Sequence, residues 1–211
     1  MSHRILLVAL PFMIFGPVLV WARADDCTGG GNTPLIVDLK GDGIRLGPAG
    51  VAVYFDLDAD GIADHLQWVR PLGDEAFIFA DLNGNGIADD GSELFGEGTT
   101  LVLQAEKARN GFIALAQYDQ PALGGNDDGK ITEADGMWPM LKFWTDSNAD
   151  GRSVRSETKS ARALGIVAFD IIPRLRNYMD DAGNTIPFWA QAERLNGKKV
   201  LMVDVFFRRL P

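Results

Sequence analysis

Asp146-Ser147-Asn148-Ala149-Asp150-Gly151-Arg152-Ser153-Val154-Arg155-Ser156-Glu157 fills every fixed position of a twelve-residue calcium loop. Side-chain oxygens stand at the first, third and fifth places, on Asp146, Asn148 and Asp150. Gly151, at the sixth, permits the sharp turn. The carbonyl of Arg152 is the expected seventh-place ligand, and Glu157, at the twelfth, can bind through both oxygens. Ca²⁺ takes roughly six to eight hard oxygens, which a short loop supplies only by folding around the ion.

Working outward, three more segments carry parts of this pattern. Asp56, Asp58, Asp60 and Asp64 hold the first, third, fifth and ninth places around Gly61, with Gln67 where a twelfth-place acid would stand. Four acids so close together repel unless neutralised, which favours an ion. Asp81, Asn83 and Asn85 open a less charged loop around Gly86, with the Ile87 carbonyl at the seventh place and Asp89 at the ninth. Its Glu93 falls at the thirteenth place, so Asp89 or Asp90 is a candidate for the bidentate group. In the third segment Asn126, Asp128, the Lys130 carbonyl and Asp135 hold the third, fifth, seventh and twelfth places, but Gly124 occupies the first. Either an enlarged first half brings Asp119 back, with Pro121 and Gly124-Gly125 making the bend, or that site is empty. Asp38-Leu39-Lys40-Gly41-Asp42-Gly43 is a degenerate copy, because Lys40 stands where an acid is wanted. The alternative throughout is a solvated turn, since Asp readily bonds its own backbone.

Between the loops, strand signals cover Pro34–Asp38, Val51–Phe55, Leu66–Val69, Ala76–Ala80, Ile166–Ile172, Ile186–Arg194 and Val200–Phe207. Asn196-Gly197 predicts a two-residue hairpin turn between the last two, and Asp181-Ala182-Gly183-Asn184 another turn. Asn110 caps a predicted helix to Gln117. Ala134–Leu141 predicts a second helix, and Ser156–Leu164 a third, stopped by Gly165. The sum is one α+β domain, residues 34–211, organised around acidic loops.

The ends and composition narrow the class. His3 and Arg4 precede an apolar stretch, Ile5–Trp21, and Ala22-Arg23-Ala24 has the small-x-small pattern of a secretory cleavage site. Residues 1–24 are the expected signal peptide, cleaved after Ala24, and Gly-rich 25–33 the expected linker. Pro11 and Pro17 interrupt the apolar stretch, which argues against a membrane anchor, and no later segment is apolar enough to span. Removing the leader takes Arg4 and Arg23 and no acid, leaving 18 basic against 29 acidic side chains, a net of −11. That charge disfavours nucleic acid as a partner. The acid is 22 Asp against 7 Glu, a bias toward turns and metal loops rather than helix surfaces. Cys27 is the only cysteine, so no disulfide framework staples the domain, and calcium is the expected staple.

Phe55–Gly61, Asp81–Gly96, Asn110–Ala116, Gly125–Gly129 and Trp144–Gly151, in this order, resemble a family of bacterial exported proteins with EF-hand-like calcium loops. The resemblance runs from Pro34 to Phe207, and its most specific part is Asp89-Asp90-Gly91-Ser92-Glu93-Leu94-Phe95-Gly96. The same pattern is similar to the self-processing module of RTX-type exoproteins, in which calcium-induced folding activates cleavage of an Asp-Pro bond. The matching bond here is Thr33-Pro34, and Thr has no carboxylate to attack its own peptide carbonyl.

Three functions follow. The first is a non-enzymatic, secreted or periplasmic module whose folding or rigidity depends on Ca²⁺. The second is an enzyme, self-processing or hydrolytic. No nucleophile elbow, zinc motif or phosphate loop supports it, and His65, the only histidine after the leader, sits beside Asp64 in a loop. The third is an adhesin or interaction module for another exported or cell-surface protein. Trp138, Trp144 and Trp189 are candidates for its face, though core positions suit them better.

Overall fold

The computed structural model describes residues 33–211. The expected leader, its cleavage point, linker residues 25–32 and Cys27 lie outside the described residues. Every residue of β1 (Leu35–Asp38) and β4 (Glu75–Ala80) is buried, which a strand achieves only when both faces of its sheet are covered. Successive side chains alternate between faces. Leu35 and Val37 therefore join Ile78, Phe112, Phe143 and Met202 in one cluster, while Ile36 faces the other way with Phe77, Phe79, Trp144 and Val203.

The sheet that separates these clusters is antiparallel throughout. From one edge it runs β7 (Lys130–Thr132), β10 (Ile166–Asp170), β12 (Thr185–Arg194), β13 (Lys199–Phe206), β1, β4, β8 (Leu141–Trp144) and β9 (Thr158–Ser160). A ninth strand, β11 (Arg174–Met179), pairs with the first half of β12. One face is covered by α1 (Gly111–Ala116), which buries Phe112, Ala114 and Leu115, and by Ala161 of α2 (Ala161–Leu164). The other is covered by the hairpin of β2 (Ala52–Phe55) and β3 (Asp64–Gln67), through Val53, Phe55 and Leu66. A two-residue pair, β5 (Thr100–Leu101) with β6 (Glu106–Lys107), completes the strands among the described residues.

The expected α+β class is therefore corrected to a mostly β fold. Asn110 does cap α1, its Oδ1 accepting the Ile113 N–H at 2.9 Å. The second predicted helix is a turn and a 3-10 stretch, Trp138–Met140, because Pro139 offers no N–H for a longer helix. The third breaks into a 3-10 turn at Arg155–Glu157, then β9, then the four residues of α2 ended by Gly165. Pairing of Thr158–Ser160 with β8 wins over its weak helix propensity. The β12–β13 hairpin closes through Arg194 and Lys198, so three residues, not two, form its tip. Trp144 is fully buried, while Trp138 and Trp189 are partly buried against the two clusters. No helix among the described residues is long and apolar enough to cross a membrane.

The chain enters the domain under a tight constraint. Thr33, assigned to the linker from composition, is fully buried. Its carbonyl passes where a Cβ of residue 96 would sit, so position 96 accepts only glycine, and Pro34 bridges to it. Beneath this junction lies Asp204, fully buried in the second half of β13. Its Oδ2 accepts the Gly111 N–H at 3.2 Å, while Oδ1 and the adjacent Thr33 hydroxyl lack a well-formed hydrogen bond. Burial pushes the Asp204 carboxyl up to about 7, opposed by Thr33 and the Gly111 N–H and reinforced by Glu97.

Two outcomes follow from this junction. Gly96→Ala forces the Thr33 carbonyl aside and should cost about 3 kcal/mol in denaturant unfolding; a variant as stable as the parent would show that the junction is loose. For Asp204, the folded state holds a proton that the unfolded chain loses near its ordinary value. Stability owed to this group is therefore full at low pH and falls as pH rises toward about 7. Asp204→Asn removes that loss, so in chelator its melting temperature should gain on the parent's more at pH 8 than at pH 4.5. An equal difference at both pH values would contradict the assignment.

Candidate metal centre

In the loop that follows β8, Asp146 is almost fully buried. Its Oδ2 accepts the Gly151 N–H at 2.8 Å and the Trp68 indole N–H at 2.7 Å, and its Oδ1 accepts the Asp150 N–H at 3.2 Å. Glu157, eleven residues on, returns to the loop's start: Oε1 accepts the Ser147 N–H at 3.0 Å and Oε2 faces the Trp144 indole N–H at 3.3 Å. Asn148 and Asp150 join through amide and carboxylate at 2.8 Å, and Asp150 Oδ1 accepts the Arg152 N–H at 2.8 Å. The first, third, fifth and twelfth places thus converge, and among the described residues no cationic side chain is paired with any of these acids. The two indole donors come from β8 and from the segment after β3. No local sequence signal marks Trp68, which lies far from the loop in the chain.

The Asp56 loop is the turn of the β2–β3 hairpin. Asp56 accepts the Gly61 N–H at 2.9 Å and the Asp60 N–H at 3.0 Å. Carboxylate oxygens of Asp56, Asp58 and Asp60 lie within 4.8 Å of one another. Arg209 reaches Asp58 at 2.8 Å and Asp64 at 3.2 Å, so the ninth-place acid is drawn toward a guanidinium. Gln67, at the twelfth place, is buried with its amide bonded to the carbonyls of Pro48 and Val51, and contributes nothing to the loop. Glu97 lies near enough to feel both Asp58 and Arg209. Burial raises its carboxyl to about 7, with Arg209 opposing and Asp58 adding. His65 stacks on Tyr54 and its Nδ1 lies 3.1 Å from the Pro211 carbonyl.

The Asp81 loop leaves the end of β4. Asp81 accepts the Gly86 N–H at 3.1 Å and is ion-paired with Lys142. Burial works to raise this carboxyl, but Lys142 and the loop N–H groups outweigh it and hold it below the usual range. The side-chain N–H groups of Asn83 and Asn85 both point at Asp89 Oδ2, at 2.7 and 2.6 Å, while Asn85 Oδ1 accepts the Ile87 N–H at 2.9 Å. Glu93 turns back so that Oε1 accepts the Leu82 N–H at 3.0 Å and Oε2 the Asp89 N–H at 3.2 Å. Of the two bidentate candidates, Asp89 is the one gathered with the asparagines; Asp90 bonds the Ser92 N–H instead. These residues line a concavity of about 460 Å³.

For the Asp119 loop the structure settles which backbone path is taken. Asp119 comes back: its Oδ2 accepts the Gly129 N–H at 2.9 Å, its Oδ1 the Asp128 N–H at 3.2 Å, and its carbonyl the Asp127 N–H at 2.8 Å. The return is so close that a Cβ on Gly125 would overlap the Asp119 backbone. Asn126 bonds Asp128 at 2.9 Å, and Asp135 closes the loop by accepting the Asn126 and Thr132 N–H groups. The Lys130 side chain points away, to Asp170 at 2.9 Å.

Three of the loops are bonded to one another. Ala88 N–H donates to Ser153 Oγ at 2.9 Å and Thr158 Oγ1 to the Gly86 carbonyl at 2.8 Å, joining the Asp81 and Asp146 loops. Gly91 N–H donates to the Asp56 carbonyl at 2.7 Å, joining the Asp56 loop to them.

A family model described as SPM domain matches residues 35–208. The iron-regulated protein FrpA of Neisseria meningitidis serogroup C is 36% identical over 174 residues. That match takes in 82% of this chain but 15% of the relative, so the chain spans a small part of that protein's length. The relative's name describes its regulation by iron and no reaction. The matched span runs from the first residue of β1 to just past the end of β13, taking in both core clusters and all the acidic loops, and on this evidence the chain belongs to the SPM domain family.

Proposed function

We propose that this chain is an exported calcium-binding module, secreted or periplasmic, whose fold is closed and stiffened by Ca²⁺ and which serves a structural or interaction role. The observation that carries this reading is the Asp146 loop. Its four side-chain ligand positions converge, two of them held by buried indoles, and no cationic side chain among the described residues neutralises them. Such a loop costs electrostatic repulsion when empty and gains hard-cation coordination when filled. An ion bound only by the folded form stabilises it by RT ln(1 + [L]/Kd), about 2.7 kcal/mol at a hundredfold excess. Inside a cell, with calcium scarce, the repelling loops would leave the chain loose enough for export; outside, calcium is sufficient for weak sites. The likeness to the RTX-type self-processing module belongs to this proposal for its calcium loops alone, since Thr33 lacks the carboxylate that the cleavage requires. A partner, on this reading, is another exported or cell-surface protein.

The test is thermal unfolding of the purified chain in chelator, in millimolar calcium and in millimolar magnesium. Calcium should raise the melting temperature and magnesium should not; coincident curves in chelator and calcium would defeat the proposal. Asp146→Ala should remove at least one bound ion in a calorimetric titration. Because Ser153 and Thr158 tie the two loops together, it should also weaken binding at the Asp81 loop.

A further inference from the structure

The degenerate loop that leaves β1, and lies against Asp74 and Glu75 at the start of β4, is built like the others, yet the structure surrounds it with the protein's own cations. Asp38, almost fully buried, closes it by accepting the N–H groups of Gly41 at 2.6 Å and Gly43 at 2.7 Å. Asp42 and the buried Asp74 bring carboxylate oxygens within 4.8 Å of Asp38's. By shape alone this is a cation site. What stands at the third place is Lys40, whose N–H donates to Asp74 Oδ2 at 2.8 Å and whose ammonium lies 3.5 Å from Asp74 Oδ1. That Oδ1 is buried and has no hydrogen bond. Arg45 takes Asp42 at 3.4 Å, and its N–H donates to the neighbouring Glu75 at 2.7 Å. The loop carbonyls are used as well: Arg194 donates to Leu39 and Lys198 to Lys40, the latter at 2.8 Å.

We propose that Lys40 is the residue that denies this loop a calcium ion: its tethered ammonium fills the third ligand place and neutralises Asp74, so the loop is closed without metal. A divalent ion entering here would meet an ammonium in place of an oxygen donor, and one of its three carboxylates already shared with Arg45. The Asp146 loop has the opposite arrangement, with an amide oxygen at the third place and no cation on its acids. The consequence is a division of labour within one fold. The turn that leaves β1, beside the start of β4, is held by side chains, whereas the Asp146 loop is left to the ion. The inference deepens the calcium reading of those loops but does not require it.

The test is a calorimetric calcium titration of the full chain in three forms: parent, Asp42→Asn and Lys40→Asp. Asp42→Asn should bind as many ions as the parent, and Lys40→Asp should bind one more. Loss of an ion in Asp42→Asn would show that the parent loop already holds calcium, and an unchanged count in Lys40→Asp would show that Lys40 is not what excludes it; either overturns the proposal. Should circular dichroism show Lys40→Asp unfolded, Lys40→Asn places the same amide oxygen there as Asn148 and is read by the same criteria. Failure of the calcium reading would look different. The parent and Asp42→Asn would bind no ion, while Lys40→Asp would still take one.

Discussion

In five loops among the described residues a carboxylate accepts the N–H of a glycine that ends a tight turn: Asp38 with Gly43, Asp56 with Gly61, Asp81 with Gly86, Asp119 with Gly129 and Asp146 with Gly151, at 2.7 to 3.1 Å. Four of the turns place the glycine five residues after the acid, the Asp119 turn being longer, and all five glycines have positive φ, from 71° at Gly151 to 99° at Gly43. The contact needs a side chain of one methylene. A longer acid would carry its oxygens past the glycine, which accounts for a chain with 22 Asp and 7 Glu. Each contact also fixes the loop's direction and turns the later oxygens inward. A strand end that could have been an ordinary turn thereby becomes a concentrated negative site.

That economy explains what the sequence could and could not reveal. The Asp146 loop was legible because all its ligand places fall within twelve consecutive residues and the spacing is itself the geometry. The Asp119 loop was legible only as an alternative. Its first acid, Asp119, lies five residues too early, and whether the intervening backbone folds back depends on the close pass of Gly125 against Asp119, which spacing does not encode. Fold class misled for a related reason. Ser156–Leu164 carries helix-end signals, yet pairing of Thr158–Ser160 with β8 decided the matter, while Pro139 broke the apolar run Ala134–Leu141. β11 has no periodicity to read, since all six of its residues are exposed. Trp68, Asp204 and Thr33 act on partners far along the chain, and no local pattern announces them.

The distribution of positive charge then separates loops that look alike. Lys142 sits on Asp81, Arg209 on Asp58 and Asp64, and Lys40 on Asp74, whereas the Asp146 loop has hydrogen-bond donors only. The Arg209 pairs are partly exposed and weak, worth up to about 1 kcal/mol, whereas Asp81 and Asp74 are buried beneath their lysines and are the harder to release. On the calcium reading, the Asp81 and Asp56 loops are therefore intermediate: each must release a side chain before it fills. The Asp81 loop's bonds to Ser153 and Thr158, and its Gly91 N–H to the Asp56 carbonyl, give that release a path. Ordering the Asp146 loop fixes Ser153 Oγ, which accepts the Ala88 N–H, and Thr158 Oγ1, which donates to the Gly86 carbonyl, and the Gly91 N–H in turn holds the Asp56 carbonyl. The loop with no cation of its own is thus the one whose occupancy has the most to transmit.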